Sequence, residues 1–130
     1  MPHHPVIVIG AGPVGLTLAL DLARRGIRPV LLDDADRIGE GSRAICFAKR
    51  TLEIFDRLGV AGPMLAKGVV WQKGRVFLEH DEVYAFDLLP EGGHQMPAFI
   101  NLQQYYIERY LVDAIAARDD IDLRWRNKVV

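Results

Sequence analysis

Val6-Ile-Val-Ile-Gly10-Ala-Gly12-Pro-Val-Gly15 is the stretch on which the fold turns. Residues 6–9 form a continuous β-branched apolar run, the pattern of a buried parallel strand. From Pro13 the pattern becomes helical. Leu16, Leu18, Ala19, Leu20, Leu22 and Ala23 are apolar, Asp21, Arg24 and Arg25 are charged, and Gly26 closes the segment. Pro13 suits the first helical turn, where its missing N–H is no loss. Val30-Leu-Leu32 is a second apolar strand and runs into Asp33-Asp34. Strand, helix and strand within 34 residues make a βαβ unit.

Each glycine between the first strand and the helix has its own physical reason. Gly10 allows the tight turn out of the strand. Gly12 has no Cβ, so a diphosphate can approach the backbone. Gly15 lets the helix lie close to the strands, and Ala19 and Ala23 continue that thin face. Free N–H groups and the macrodipole at the helix start favour an anion. Asp33 follows Gly15 by 18 residues, where a carboxylate can accept from ribose hydroxyls. The Asp33-Asp34 pair argues against a 2′-phosphorylated ribose. The competing reading is a glycine-rich turn beside a solvated acidic loop, and for Asp34 alone that reading is preferred, since alternate strand residues face opposite ways. The fingerprint binds an ADP moiety, so NAD and FAD both fit.

Composition narrows the classes. Of 130 residues half are hydrophobic and a quarter charged, as in a globular domain or part of one. With 16 basic and 17 acidic residues there is no electrostatic case for nucleic acid or an anionic membrane. Residues 6–20 resemble a signal-peptide core, but no Lys or Arg precedes them, and the run is too short to span a membrane. The lone Cys46 excludes an internal disulfide framework and a cysteine-built metal site, and fits a cytoplasmic location. It reads as a small packed residue.

The rest of the chain reads as a polar loop over 35–42 and an amphipathic helix over 49–58, with Leu52, Ile54, Phe55 and Leu58 inward and Gly59 as its stop. Gly62-Pro63 reads as a break. Strands over 75–78 and 83–88 form a hairpin around His80-Asp81. A helix over 101–118 and a strand over 121–130 follow. The expected class is α/β, a Rossmann-like dinucleotide-binding fold with a βαβ start, a hairpin excursion and a long helix. Three parallel strands are fewer than a doubly wound sheet needs. The expectation is therefore an incomplete domain, residues 1–130 being the N-terminal portion of a longer protein.

Other chemistry-bearing residues carry less. His3 and His4 lack further ligands at useful spacing, so no metal site is expected. His80 and His94 lie in turns without a nucleophile partner. Trp71, Tyr84, Tyr105, Tyr106 and Trp125 read as packing residues before they read as flavin or substrate contacts. Arg124 and Arg126 flank Trp125 as on a half-exposed strand. Arg43 reads from its residues alone as a solvated loop arginine. Gln104, three residues after Asn101, fits equally a ligand contact or the third position of a capping box.

The opening segment, continued as Leu16-Thr-Leu-Ala19, resembles the start of the FAD-dependent aromatic-ring monooxygenases, the flavoprotein hydroxylases typified by phenol hydroxylase, p-hydroxybenzoate hydroxylase and 3-(3-hydroxyphenyl)propionate hydroxylase. The resemblance continues through Ser42-Arg-Ala-Ile45, Arg50-Thr-Leu-Glu-Ile-Phe-Asp-Arg-Leu-Gly59 and Ile100-Asn-Leu-Gln-Gln-Tyr-Tyr-Ile-Glu108. It implies that Gly10, Gly12, Pro13 and Gly15 hold the FAD diphosphate and Asp33 the adenosine ribose. It implies that Arg43 reaches the diphosphate and ribityl region, and that Gln104, four residues before Glu108, also contacts FAD; Gln103 lacks that spacing. The implied activity is hydroxylation of a small phenolic or other aromatic substrate with O2, NAD(P)H being a transient co-substrate. The family's later Asp-Gly and Gly-Asp elements and most of its substrate domain are absent. Catalytic residues therefore have no assignment, oligomeric state stays open, and the hairpin region 69–89 reads as an excursion towards that missing domain. Two alternatives stay open: another FAD-dependent oxidoreductase of the same fold, and a standalone dinucleotide-binding module without catalysis.

Overall fold

The computed structural model describes residues 3–41 and 43–130. Ser42, quoted above in the resemblance, lies outside the described residues. The order of elements is β1 (Val6–Ile9), α1 (Pro13–Arg24), β2 (Pro29–Leu32), β3 (Cys46–Ala48), α2 (Lys49–Arg57), α3 (Ala61–Lys67), β4 (Val69–Trp71), β5 (Lys73–Leu78), β6 (Asp81–Asp87), β7 (Phe99–Asn101), α4 (Gln104–Ala116) and β8 (Asp122–Arg124).

The expected βαβ start is present. β1 and β2 run parallel, Val6 opposite Pro29 and Ile9 opposite Leu32, and β8 adds a third parallel strand on the far side of β2. α1 crosses between β1 and β2 and turns Leu16, Ala19, Leu20 and Ala23 inward. These residues share one core with Ile107, Leu111 and Ile115 of α4 and Leu52 and Phe55 of α2. The small side chains Ala19 and Ala23 are buried, which lets α1 lie close to its neighbours. Among the described residues β2 is the only partner of β1. The expectation of a fully buried β1 is therefore corrected: Val8 is buried, but Ile7 and Ile9 are exposed on an edge strand.

A second sheet, β3-β7-β4, is antiparallel and was not expected from the sequence. Its strand Phe99–Asn101 takes in Asn101, the first residue of the expected 101–118 helix, so α4 begins only at Gln104. α3 was also not expected. Pro63 stands in its first turn, where a helix has no N–H to lose, so Gly62-Pro63 is a helix start and not a break. The hairpin is found, with strands slightly longer than expected, a register irregularity between Val76 and Phe77, and left-handed backbone at Glu79 (φ 55°). The expected 121–130 strand stops at Arg124, since Arg126 adopts φ 59° and its N–H donates to Ala35 O (2.8 Å). No helix among the described residues is long and apolar enough to cross a membrane.

Candidate functional site

The turn between β1 and α1 sits at the carboxyl ends of the parallel strands, where open α/β sheets take their ligands. Gly10 N–H extends the ladder to Leu32 O (2.7 Å), and its φ of +103° then swings the chain out of the sheet, a conformation open to glycine. Gly12 is extended (φ −80°, ψ −177°) and precedes Pro13, the first residue of α1. A Cβ on Gly12 would meet nothing within 4 Å, so this face of the backbone is open to an approaching group. A Cβ on Gly15 would stand 1.8 Å from Gly10 O, so glycine at 15 is a packing requirement. The first helical bond runs from Leu16 N–H to Gly12 O (3.0 Å). The amides of Val14 and Gly15 therefore lie ahead of the ladder, at the positive end of α1.

Asp33 follows the last residue of β2. Its Oδ2 accepts from Ala11 N–H (2.6 Å) and its Oδ1 from Ala35 N–H (2.8 Å). The carboxylate thus ties the glycine turn to the end of β2, and half-burial leaves part of it open to a ligand. Asp34, beyond the end of β2, is exposed. A crevice of about 220 Å³ opens here, lined by Gly10, Leu32, Asp33, Asp34, Asn127 and Lys128. An open glycine face, uncommitted amides at a helix start and an adjacent carboxylate suit a diphosphate joined to a ribose.

Arg43 and Gln104 form a second cluster. Gln104 N–H donates to Ala44 O (3.1 Å) and Leu102 N–H to Ile45 O (2.7 Å), which fastens the segment after Arg43 to the start of α4. The exposed Arg43 guanidinium lies against Gly39, where a Cβ would come within 3.2 Å of Nη2. Gln104 Nε2 donates to Glu108 Oε1 (2.8 Å), and Gly39 N–H donates to Glu108 Oε2 (3.1 Å). Glu108 is the residue that sequence reasoning missed. The four-residue spacing to Gln104 was its only signal.

The capping-box reading of Asn101 and Gln104 is corrected. Gln103 is the N-cap and makes no side-chain cap, while Asn101 belongs to β7 and accepts from Trp71 Nε1 (2.9 Å). Cys46 is also corrected: it starts β3, which among the described residues pairs with β7 alone, and its thiol is exposed and not packed. Trp71 stacks on Phe99 (centroids 5.1 Å apart) and Tyr106 packs against the core, whereas Tyr84 is exposed on the hairpin. Arg124 pairs with Asp122 (2.6 Å) at the far strand β8. Among the described residues no group of three or more His, Cys, Asp or Glu is placed to hold a metal ion.

Comparison with known proteins agrees with this geometry. The sequence profile of the "FAD binding domain" family matches residues 3–130. A flavin-dependent monooxygenase of Mycobacteroides abscessus is 36% identical over 118 residues, covering 85% of this chain and 25% of that protein. The 6-hydroxy-3-succinoylpyridine 3-monooxygenase of Pseudomonas putida is 30% identical over 127 residues, covering 96% of this chain and 32% of its own length. In fold, the chain superposes on the crystal structure of p-nitrophenol 4-monooxygenase from Pseudomonas putida DLL-E4 with a TM-score of 0.84 at 24% identity, over 95% of this chain and 32% of that one. The chain thus spans between a quarter and a third of these relatives. With a profile match over nearly its whole length, the chain belongs to the FAD binding domain family.

Proposed function

We propose that this chain forms the ADP-binding part of the FAD site of a flavin-dependent monooxygenase that hydroxylates a small aromatic substrate. The carrying observation is the open backbone at Gly12 beside the Asp33 carboxylate, which already bridges to Ala11. In this reading Gly10, Gly12, Pro13 and Gly15 cradle the diphosphate, with the amides at the start of α1 as donors. Asp33 accepts from the ribose. A diphosphate carries more charge than one helix end can balance, and the Arg43 guanidinium supplies the remainder. Gln104 contacts the flavin half. The bound flavin supplies the redox chemistry and the protein orients it and excludes water.

The substrate class is supported by the pyridine and nitrophenol monooxygenases to which the chain is similar. NAD(P)H as transient co-substrate follows from the hydroxylase resemblance. The hairpin region 69–89 is read as an excursion towards a substrate domain. Its exposed Phe77, Leu78, Val83 and Tyr84 are surface that a neighbouring domain can cover. A reducing cytoplasm suits the exposed Cys46 thiol. The test is a titration of the complete polypeptide with FAD. Stoichiometric binding that Asp33→Asn and Gly12→Val both weaken is expected, and binding unaffected by either variant contradicts the assignment.

A further inference from the structure

Glu108 lies on the inward face of α4 with 3% of its surface exposed, beside fully buried Ile107 and Leu111. A carboxyl group is costly to bury unless its oxygens are bonded, and here each accepts one N–H. Oε2 is held by the Gly39 amide, 69 residues away in sequence, which fixes the group and leaves Oε1 towards Gln104. Gln104 sits one turn earlier and gives Nε2 to that oxygen at 2.8 Å.

A carboxylate offers only acceptors, so of the two ends of the Gln104 amide it selects the NH2 group. The amide oxygen Oε1 then points away from Glu108. An outward acceptor matches a ligand hydroxyl and mismatches a phosphate oxygen, which is itself an acceptor. Of the parts of FAD, the ribityl chain supplies hydroxyls outside the ADP half.

We propose that Glu108 is a positioning residue that locks the Gln104 amide so that Oε1 accepts from a ribityl hydroxyl. This rests on the FAD reading of the site. Glu108→Gln tests it cleanly. The introduced amide keeps an oxygen for Gly39 but turns an NH2 towards Gln104, which must flip and present its own NH2 outward.

The experiment measures FAD affinity by quenching of flavin fluorescence, and ADP affinity by competition. It uses the complete polypeptide as wild type, Glu108→Gln, Gln104→Met and the double variant. Binding of FAD by the wild type establishes the underlying reading independently. Glu108→Gln is expected to weaken FAD about tenfold and leave ADP unchanged, the loss of one hydrogen bond and the mispairing of another. In the double variant the loss is expected to stay within about twofold of Gln104→Met alone, since Glu108 then has no amide to orient. Wild-type FAD affinity in Glu108→Gln overturns the proposal, as do losses that multiply in the double variant. Should the Glu108 variants not fold, Gln104→Met decides: weaker FAD with unchanged ADP supports the proposal, and equal losses or none overturn it.

Discussion

The carbonyl oxygen of Gly10 occupies the place where a β-carbon of Gly15 would stand, 1.8 Å from it. The turn out of β1 and the first turn of α1 are thus packed backbone to backbone. Gly12, between them, has open space on the same side of its Cα. The three glycines of the motif are therefore distinguishable by experiment.

Gly15→Ala forces the turn and the helix apart, and no flexible side chain can yield. A loss of stability of about 3 kcal/mol, at the upper end for overpacking, is expected in chemical denaturation. Retention of wild-type stability would show that α1 can shift without cost.

Gly12→Ala is expected to behave in the opposite way. Its φ of −80° suits alanine and its methyl meets nothing, so stability should change by less than about 1 kcal/mol. FAD affinity should nevertheless fall by about tenfold or more, since the methyl fills the approach of the diphosphate. Fluorescence titration and a thermal melt on the same sample separate the two effects.

Asp33→Asn replaces one of two acceptors with a donor, facing either Ala11 N–H or Ala35 N–H. Both stability and FAD affinity should fall. A charge-assisted hydrogen bond is lost in each case, which places the affinity loss at about tenfold to a hundredfold. A variant that binds FAD normally would remove Asp33 from the ribose site.

The hairpin should be separable from the cofactor site. Leu88 N–H donates to Gln72 O (2.9 Å), and Gln72 Nε2 donates to Leu89 O (3.1 Å), so the two ends of the excursion are already closed outside the hairpin strands. Replacing residues 73–87 by a short turn is expected to keep FAD affinity within about threefold while abolishing hydroxylation by the complete polypeptide. Loss of FAD binding would place the hairpin in the cofactor site.

Arg124 beside Asp122 on β8 holds that carboxyl below the ordinary aspartate range. A folded value below the unfolded one stabilises the native state above the unfolded value. The contribution is lost as pH falls through the folded value, that is, below about pH 4. The pair is nearly half exposed, so the effect is small. Asp122→Asn should slightly lower the thermal midpoint at about pH 7, and by less at about pH 3. An equal drop at both would assign the effect to strand pairing.

What the sequence made legible follows from the range over which its patterns act. The β1–α1–β2 unit was readable because its glycines, apolar run and acid all lie within 34 residues and agree. Strands β3, β4 and β7 have three residues each, too few to show a period, and their pairing joins segments tens of residues apart. α3 was hidden by a Gly-Pro pair that usually marks a turn. Glu108 reads locally as a surface charge on an amphipathic helix. Its burial depends on Gly39 folding back over α4, a contact for which no local pattern exists. Cys46 was misread because its neighbours Ile45 and Phe47 are apolar, yet β3, which Cys46 begins, lies at a sheet edge.

The most direct measurement is calorimetric titration of the complete polypeptide with FAD and, separately, with NAD. A grip on the adenylate half that extends through Arg43 and Gln104 to the flavin half predicts tight one-to-one binding of FAD and weak binding of NAD. Tight NAD binding with no heat from FAD would contradict it.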